Sequence, residues 1–167
     1  MAGLLFIFLF GNQTISAQEA NFRDPQTWLL GYFTPDVFLL EPHESWFSAE
    51  FDAYELDDDA FMELTEADIT DVEVLVVLGT WCPDSRREVP RFMKIMELSG
   101  FDQELISLMG TDSYKVAPVD NYDDLNIDRV PTFIFYYKKN EIGRIIEYPL
   151  ASLERDMVNI FKKIQNN

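Results

Sequence analysis

Residues 72 to 79 form a near-continuous aliphatic run, Val72, Val74, Leu75, Val76, Val77, Leu78 and then Gly79, broken only by Glu73. A short run of this kind, rich in β-branched residues, predicts a strand buried on both faces. Such a strand must lie inside a sheet that is covered on each side, so it demands a layered α/β architecture. The run leads directly into Trp81-Cys82-Pro83-Asp84-Ser85. Proline suits the first turn of a helix, where its missing N–H has no partner to lose. Cys82 therefore falls at or beside the N-cap of a helix that follows the strand. The free N–H groups and positive dipole end at such a position favour a thiolate over a thiol.

Elements after this junction follow the same logic. Val89, Phe92, Met93 and Met96 give the helix an apolar face, Pro90 lies inside it and should bend it, and Gly100 ends it. Leu105–Met109, Thr132–Tyr137 and Ile142–Tyr148 read as strands, the last two joined by a turn at Lys139-Asn140. A final helix spans about 152–164 with Leu153, Met157, Ile160, Phe161 and Ile164 facing inward. The order predicts a mixed sheet with helices on both faces. Tyr114–Asn126, which contains Pro118, reads as loop or weak helix.

The segment before the central strand reads as helical. Asp24-Pro25 matches a cap followed by proline at N1, with Trp28, Leu29 and Tyr32 on one apolar face. Trp46, Phe47, Phe51 and Tyr54 recur at helical spacing behind Ser45, a plausible cap, and Asp57–Asp59 closes that helix. His43, between Pro42 and Glu44, reads as a surface loop residue, and Glu63–Thr70 as a short turn or helical piece leading to the next strand. The resulting organisation is a signal segment over 1–17, an acidic helical extension over 18–71 packed on the domain, and an α/β domain over 72–167.

Leu4–Phe10 is an apolar stretch too short to span a bilayer, and small residues up to Ala17 suit a signal peptidase. Export to the periplasm is the expectation. The alternatives keep this segment attached as an anchor, or the chain in the cytoplasm. The net charge is -17, and no Lys or Arg occurs between Arg23 and Arg86. Such a field repels phosphates and argues against nucleic acid. One Cys and one His leave no internal disulfide and no ligand cluster for a structural metal. No cofactor is called for, and a monomer is the default.

Trp81-Cys82-x-x-Ser85, Pro90 within the helix and Val130-Pro131-Thr132 ahead of a strand together resemble the thioredoxin-like superfamily. The chain is similar to exported thioredoxin-family proteins of Bacteroidota type, with the match covering about 72–163. The resemblance implies that Cys82 is the nucleophile and Trp81 the aromatic that shields it. It further implies a cis bond before Pro131, whose loop, with Val130, Trp81 and Pro83, receives a substrate peptide. The resolving cysteine is replaced by Ser85, whose hydroxyl can donate to a Cys82 thiolate. Val76 stands where many relatives carry a buried acid. Asp84 opposes a nearby thiolate by like charge, while Arg86 and Arg87 favour it.

These residues imply monothiol thiol–disulfide exchange. The substrates would be protein disulfides or small-thiol mixed disulfides, and an external thiol would release Cys82. The alternative is a thioredoxin-like module, inactive in redox chemistry, that binds a partner or acts as a chaperone.

Overall fold

The computed structural model describes residues 22–67 and 69–164; the expected signal segment lies outside them. Its centre is β2 (Val72–Leu78), which pairs in parallel with β3 (Ile106–Gly110) and antiparallel with β4 (Thr132–Tyr137). β5 (Asn140–Ile146) pairs antiparallel with β4 on one edge, and β1 (Gly31–Phe33) antiparallel with β3 on the other. The five strands run in the order β1-β3-β2-β4-β5. Four helices complete the fold: α1 (Glu44–Ala53), α2 (Asp58–Thr65), α3 (Pro83–Leu98) and α4 (Leu153–Phe161).

The two faces of β2 meet different layers. Val72, Val74, Val76 and Leu78 pack with buried residues of α2, α3 and α4 and with Phe133 and Phe135 of β4. α1 adds Trp46, Phe47 and Phe51 to this layer. Phe92 meets Phe133 at 4.7 Å between ring centroids, and Phe135 meets Phe161 edge-on at 5.5 Å. Leu75 and Val77 point the other way, toward Met109, Ala117, Tyr122, Val130 and Ile134. The sequence order suggested helices on both faces. Instead, the second face is covered by the irregular 111–131 connection, whose single 3₁₀ turn is Tyr122–Leu125. Left-handed Asn121 and Asn126 bracket that turn, and Pro118 precedes it, so no longer helix forms.

The N-terminal extension is also not purely helical. Asp24 caps a 3₁₀ turn at Pro25–Thr27, with Pro25 in its first turn, but no helix carries Trp28, Leu29 and Tyr32. Gly31 has φ +74, which ends any helix there, and Gly31–Phe33 joins the sheet as β1. Residues 31–33 of the stretch before the central strand therefore belong to the sheet itself. His43, not Ser45, precedes α1, and it is buried against Phe38 and Trp46. Asp57 starts a helix where it was expected to end one, because its Oδ1 accepts from the Ala60 N–H. The β4–β5 turn falls on Lys138-Lys139, both at positive φ, one residue earlier than expected. α3 carries Pro90 buried in its interior as the sequence predicts.

α1, α2 and α4 are tied together by a buried carboxylate. Glu154 is fully buried in the first turn of α4, where a negative charge suits the helix dipole. Its two oxygens share the single Tyr54 hydroxyl proton, at 2.9 and 3.1 Å, and Oε1 also accepts from the Asp57 N–H. Burial, then the Glu154 charge, pushes the Tyr54 phenol well above its ordinary value. A raised phenol contributes stability that is complete below about pH 10 and lost as pH climbs beyond it. Tyr54→Phe is expected to lower stability by about 1.5–3 kcal/mol, the worth of bonds to a charged acceptor. The variant should also lose less stability than wild type above about pH 10. Urea denaturation across that range checks both.

Candidate functional site

β2 hands over to α3 in four residues. The Cys82 N–H donates to the Gly79 carbonyl at 2.8 Å, and the Arg86 N–H donates to the Cys82 carbonyl as α3 begins. Pro83 sits in the first turn, exposed, and Cys82 is the N-cap. The Cys82 side chain makes no cap bond. Its Sγ donates instead to the Val130 carbonyl at 3.3 Å, across 48 residues of sequence. The Val130–Pro131 bond is cis, and both residues are buried. Cys82 as a residue is 8 % exposed and counts as buried.

Ser85 lies in the first turn of α3 and is fully buried. In place of the expected bond to Cys82, its Oγ accepts from the Gly79 N–H at 3.1 Å. That bond ties the helix start to the strand end and satisfies a buried donor. Trp81 folds back over Gly79: a Cβ added at residue 79 would stand 2.5 Å from the indole. The indole Nε1 donates to the Thr111 carbonyl at 2.9 Å, which fixes the ring over the junction. Val76 is fully buried and packs with the helix-facing layer, away from Cys82.

The three charged candidates divide sharply. Arg87 pairs with Asp84 at 2.9 Å and with buried Glu88 at 2.7 Å, so Asp84 and Arg87 largely neutralise one another. Arg86 turns toward the site and donates to the Thr80 carbonyl at 2.9 Å. Partial burial lowers the Arg86 pKa, and the charge of Cys82 opposes that effect. Arg129 is exposed beside the Val130 loop and pairs with Glu147. Glu147 in turn donates its N–H to the Pro131 carbonyl at 2.7 Å. The residues following this contact, Tyr148 and Leu150, are exposed, Leu150 to 97 %.

Several residues at this end carry no local signal in the sequence. Thr80 is fully buried; its Oγ1 donates to the Thr27 carbonyl and accepts from the Leu29 N–H, each at 3.2 Å. Thr111, also fully buried, bonds the Leu78 carbonyl through its N–H. Phe22 lies under the Arg86 guanidinium at 4.4 Å, and Trp28 meets Trp81 at 6.4 Å. These partners come from segments 30 to 64 residues away, so neither spacing nor composition announces them. Among the described residues, no group of His, Cys, Asp and Glu could hold a metal ion, and no helix is long and apolar enough to cross a membrane.

No family model matches the chain, and no curated protein does. Solved structures resemble it in fold. A crystal structure of a protein of unknown function from Pseudomonas aeruginosa superposes with a TM-score of 0.55 at 18 % identity, covering 81 % of this chain and 93 % of that one. An HIV epitope scaffold gives 0.56 at 18 % identity, covering 81 % and 94 %. At such identity the likeness bears on the fold alone: a mixed five-stranded sheet flanked by helices.

Gly79→Ala is expected to displace Trp81, breaking its bond to Thr111 and costing about 1–3 kcal/mol by overpacking. Increased acrylamide quenching of tryptophan fluorescence, alongside a lowered melting temperature, would show it. An unchanged spectrum would mean that the indole does not rest on residue 79.

Proposed function

We propose that this protein has a thioredoxin-like fold and carries out monothiol thiol–disulfide exchange through Cys82. The observation that carries this reading is the Cys82 sulfur at the start of α3, 3.3 Å from the carbonyl that precedes cis Pro131. It stands at a helix N-terminus, and the neighbouring Trp81 packs over the same junction, a setting that suits a nucleophilic sulfur.

In the first step the Cys82 thiolate attacks one sulfur of a substrate disulfide. A bond forms between Cys82 and that sulfur, the substrate S–S bond breaks, and the other sulfur leaves as a thiolate. Ser85 has no thiol, so Cys82 cannot be released from within the chain. An external thiol, deprotonated, attacks the mixed disulfide at either sulfur. Attack at Cys82 expels the substrate as a thiolate and leaves Cys82 joined to the external thiol, which a second external thiolate removes as the external disulfide, freeing Cys82. Attack at the substrate sulfur expels the Cys82 thiolate and leaves the substrate joined to the new thiol. Isomerisation follows when the attacking thiolate belongs to the substrate itself. Ser85 acts here as a structural link to Gly79. The substrate strand is proposed to lie over Trp81, Pro83 and the Val130-Pro131 loop, beside exposed Tyr148 and Leu150. We further propose a periplasmic location and a monomer, on the sequence of residues 1–17 and the high net charge.

One observation favours a second reading. Cys82 is only 8 % exposed, as suits a module that binds extended or unfolded chains without covalent chemistry. Cys82→Ala separates the two. Under exchange, the variant loses turnover in a glutathione-supported reductase or isomerase assay; equal activity of the variant would discard the mechanism. Under binding, partner capture survives the substitution. Ser85→Cys should gain insulin reduction if the missing thiol is the limiting departure.

Charge sets a further expectation. A chain of net charge -17 repels anionic disulfides and attracts cationic ones over a Debye length of about 8 Å at physiological salt. Cystamine should therefore oxidise Cys82 faster than dithiodipropionate, with the ratio shrinking toward that of a free thiol in 1 M salt. A salt-independent ratio would show that the field does not reach the sulfur.

A further inference from the structure

His43 is the single histidine of the chain, and an aromatic cluster closes over it. Its ring centroid lies 6.1 Å from Phe22, 6.4 Å from Phe38 and 6.1 Å from Trp46. Phe22 meets Trp46 at 6.4 Å, and Phe38 meets Trp46 at 5.4 Å and stacks on Phe47 at 4.6 Å. The cluster joins three segments: the chain at Phe22, the 3₁₀ turn Pro35–Leu39 and the start of α1. It leaves His43 only 4 % exposed. Among the described residues, two buried side-chain nitrogens lack a hydrogen-bond partner, and both are here: His43 Nδ1 and Trp46 Nε1.

Buried polar groups are nearly always bonded, so two orphans in one cluster need a reason. Neutral imidazole tolerates one missing bond at modest cost. Imidazolium does not, because both its nitrogens carry protons and a charge buried among rings is far more costly. The Trp46 indole is itself only a donor and offers the imidazolium nothing to bond.

We propose that His43 is an acid-sensitive latch: neutral, it closes the cluster that pins Phe22 and the 3₁₀ turn to α1; protonated, it leaves the cluster and Phe22 comes away from α1. Phe22 anchors the segment that crosses the Cys82 end of the sheet. The Trp28 Nε1 donates to its carbonyl at 2.9 Å, and Trp28 lies 6.4 Å from Trp81. Opening at His43 is therefore passed to Trp28, whereas Trp81 keeps its own bond to the Thr111 carbonyl.

The charged groups around the cluster are engaged elsewhere, exposed, or of the wrong sign. On α1, Glu44 accepts from the Ser48 hydroxyl and Glu50 pairs with Arg91. Asp36 on the 3₁₀ turn and Glu41 after it are exposed. Beside Phe22 stand exposed Arg23 and Asp24, the latter capping the turn at Gln26. From α3, the Arg86 guanidinium lies over the Phe22 ring at 4.4 Å, a like charge to a protonated His43. Burial lowers the His43 pKa, in keeping with this setting. The folded chain then holds the proton less tightly than the unfolded one. The stability contributed is complete above about pH 6.5 and lost as pH falls below it.

One histidine and three indole N–H groups make the test readable by NMR on the full chain. The His43 ring signal is expected to titrate with a midpoint below about 6.5, and the Trp46 and Trp28 indole signals to move with it. The Trp81 indole should hold its position over the same range. His43→Phe fills the cluster without a titrating group, so its Trp28 and Trp46 signals should stay fixed between about pH 5.5 and 7.5. In urea, the unfolding constant of wild type should rise relative to that of His43→Phe by up to about tenfold per pH unit below about pH 6.5, the slope of one proton. His43→Gln, polar but not titrating, should give the same comparison. A His43 midpoint at or above about 6.5 would overturn the latch, as would Trp28 and Trp46 signals that ignore that midpoint. So would a wild-type pH profile that persists in His43→Phe and His43→Gln. No arm of the test reads the thiol, so its failure leaves the proposed exchange at Cys82 standing.

Discussion

The burial of β2 on both faces is the constraint from which the rest of the architecture follows. A strand without a polar face must be covered twice, and the two covers differ here. Val72, Val74, Val76 and Leu78 meet the helical layer, while Leu75 and Val77 meet the 111–131 connection. Central placement also puts the end of β2 beside the end of parallel β3 and the start of antiparallel β4. Three segments distant in sequence therefore converge at one edge: Gly79–Cys82 after β2, Thr111 after β3, and Val130-Pro131 before β4. The contacts from Trp81 to Thr111 and from Cys82 to Val130 are consequences of strand direction and order.

Around this frame, the chain handles an excess of negative charge by pairing or bonding the acids it buries. Glu88 is held by Arg87 and Arg91, and Glu154 by Tyr54 and the Asp57 N–H. A buried charge without such partners would cost several kcal/mol. Arg91 further reaches Glu50, and Lys94 the carbonyls of Asp52 and Tyr54, so basic residues of α3 serve the acidic α1 segment. Almost all the Lys and Arg follow residue 82 in the sequence, and the fold brings some of them back to the acids that precede it. Remaining acids stay at the surface and set the field that any substrate of Cys82 must cross.

Much of this was legible from residue pattern. The near-unbroken run at 72–79 gave the central strand, proline after Cys82 gave the helix start, and periodic apolar residues gave α1, α3 and α4. The readings that failed did so where local signals were outweighed by pairing. Trp28, Leu29 and Tyr32 have helical spacing, yet Gly31 takes a left-handed φ and the chain pairs with β3. Asp57 ends nothing because its carboxylate caps the following helix. His43 is buried because the rings of Phe22, Phe38 and Trp46 close over it, and Phe22 comes from 21 residues earlier.

The sequence by itself determined that a lone cysteine stands where a doubly buried strand gives way to a helix, and that no second thiol is present to release it. Those properties depend on residue identity and on periods of two and 3.6, which act over a few residues. Only the tertiary structure decided that the Cys82 sulfur meets the Val130 carbonyl, that Trp81 rests on Thr111, and that residues 22–29 lie across the junction. Those outcomes depend on contacts between segments 30 to 64 residues apart, which no short-range period encodes.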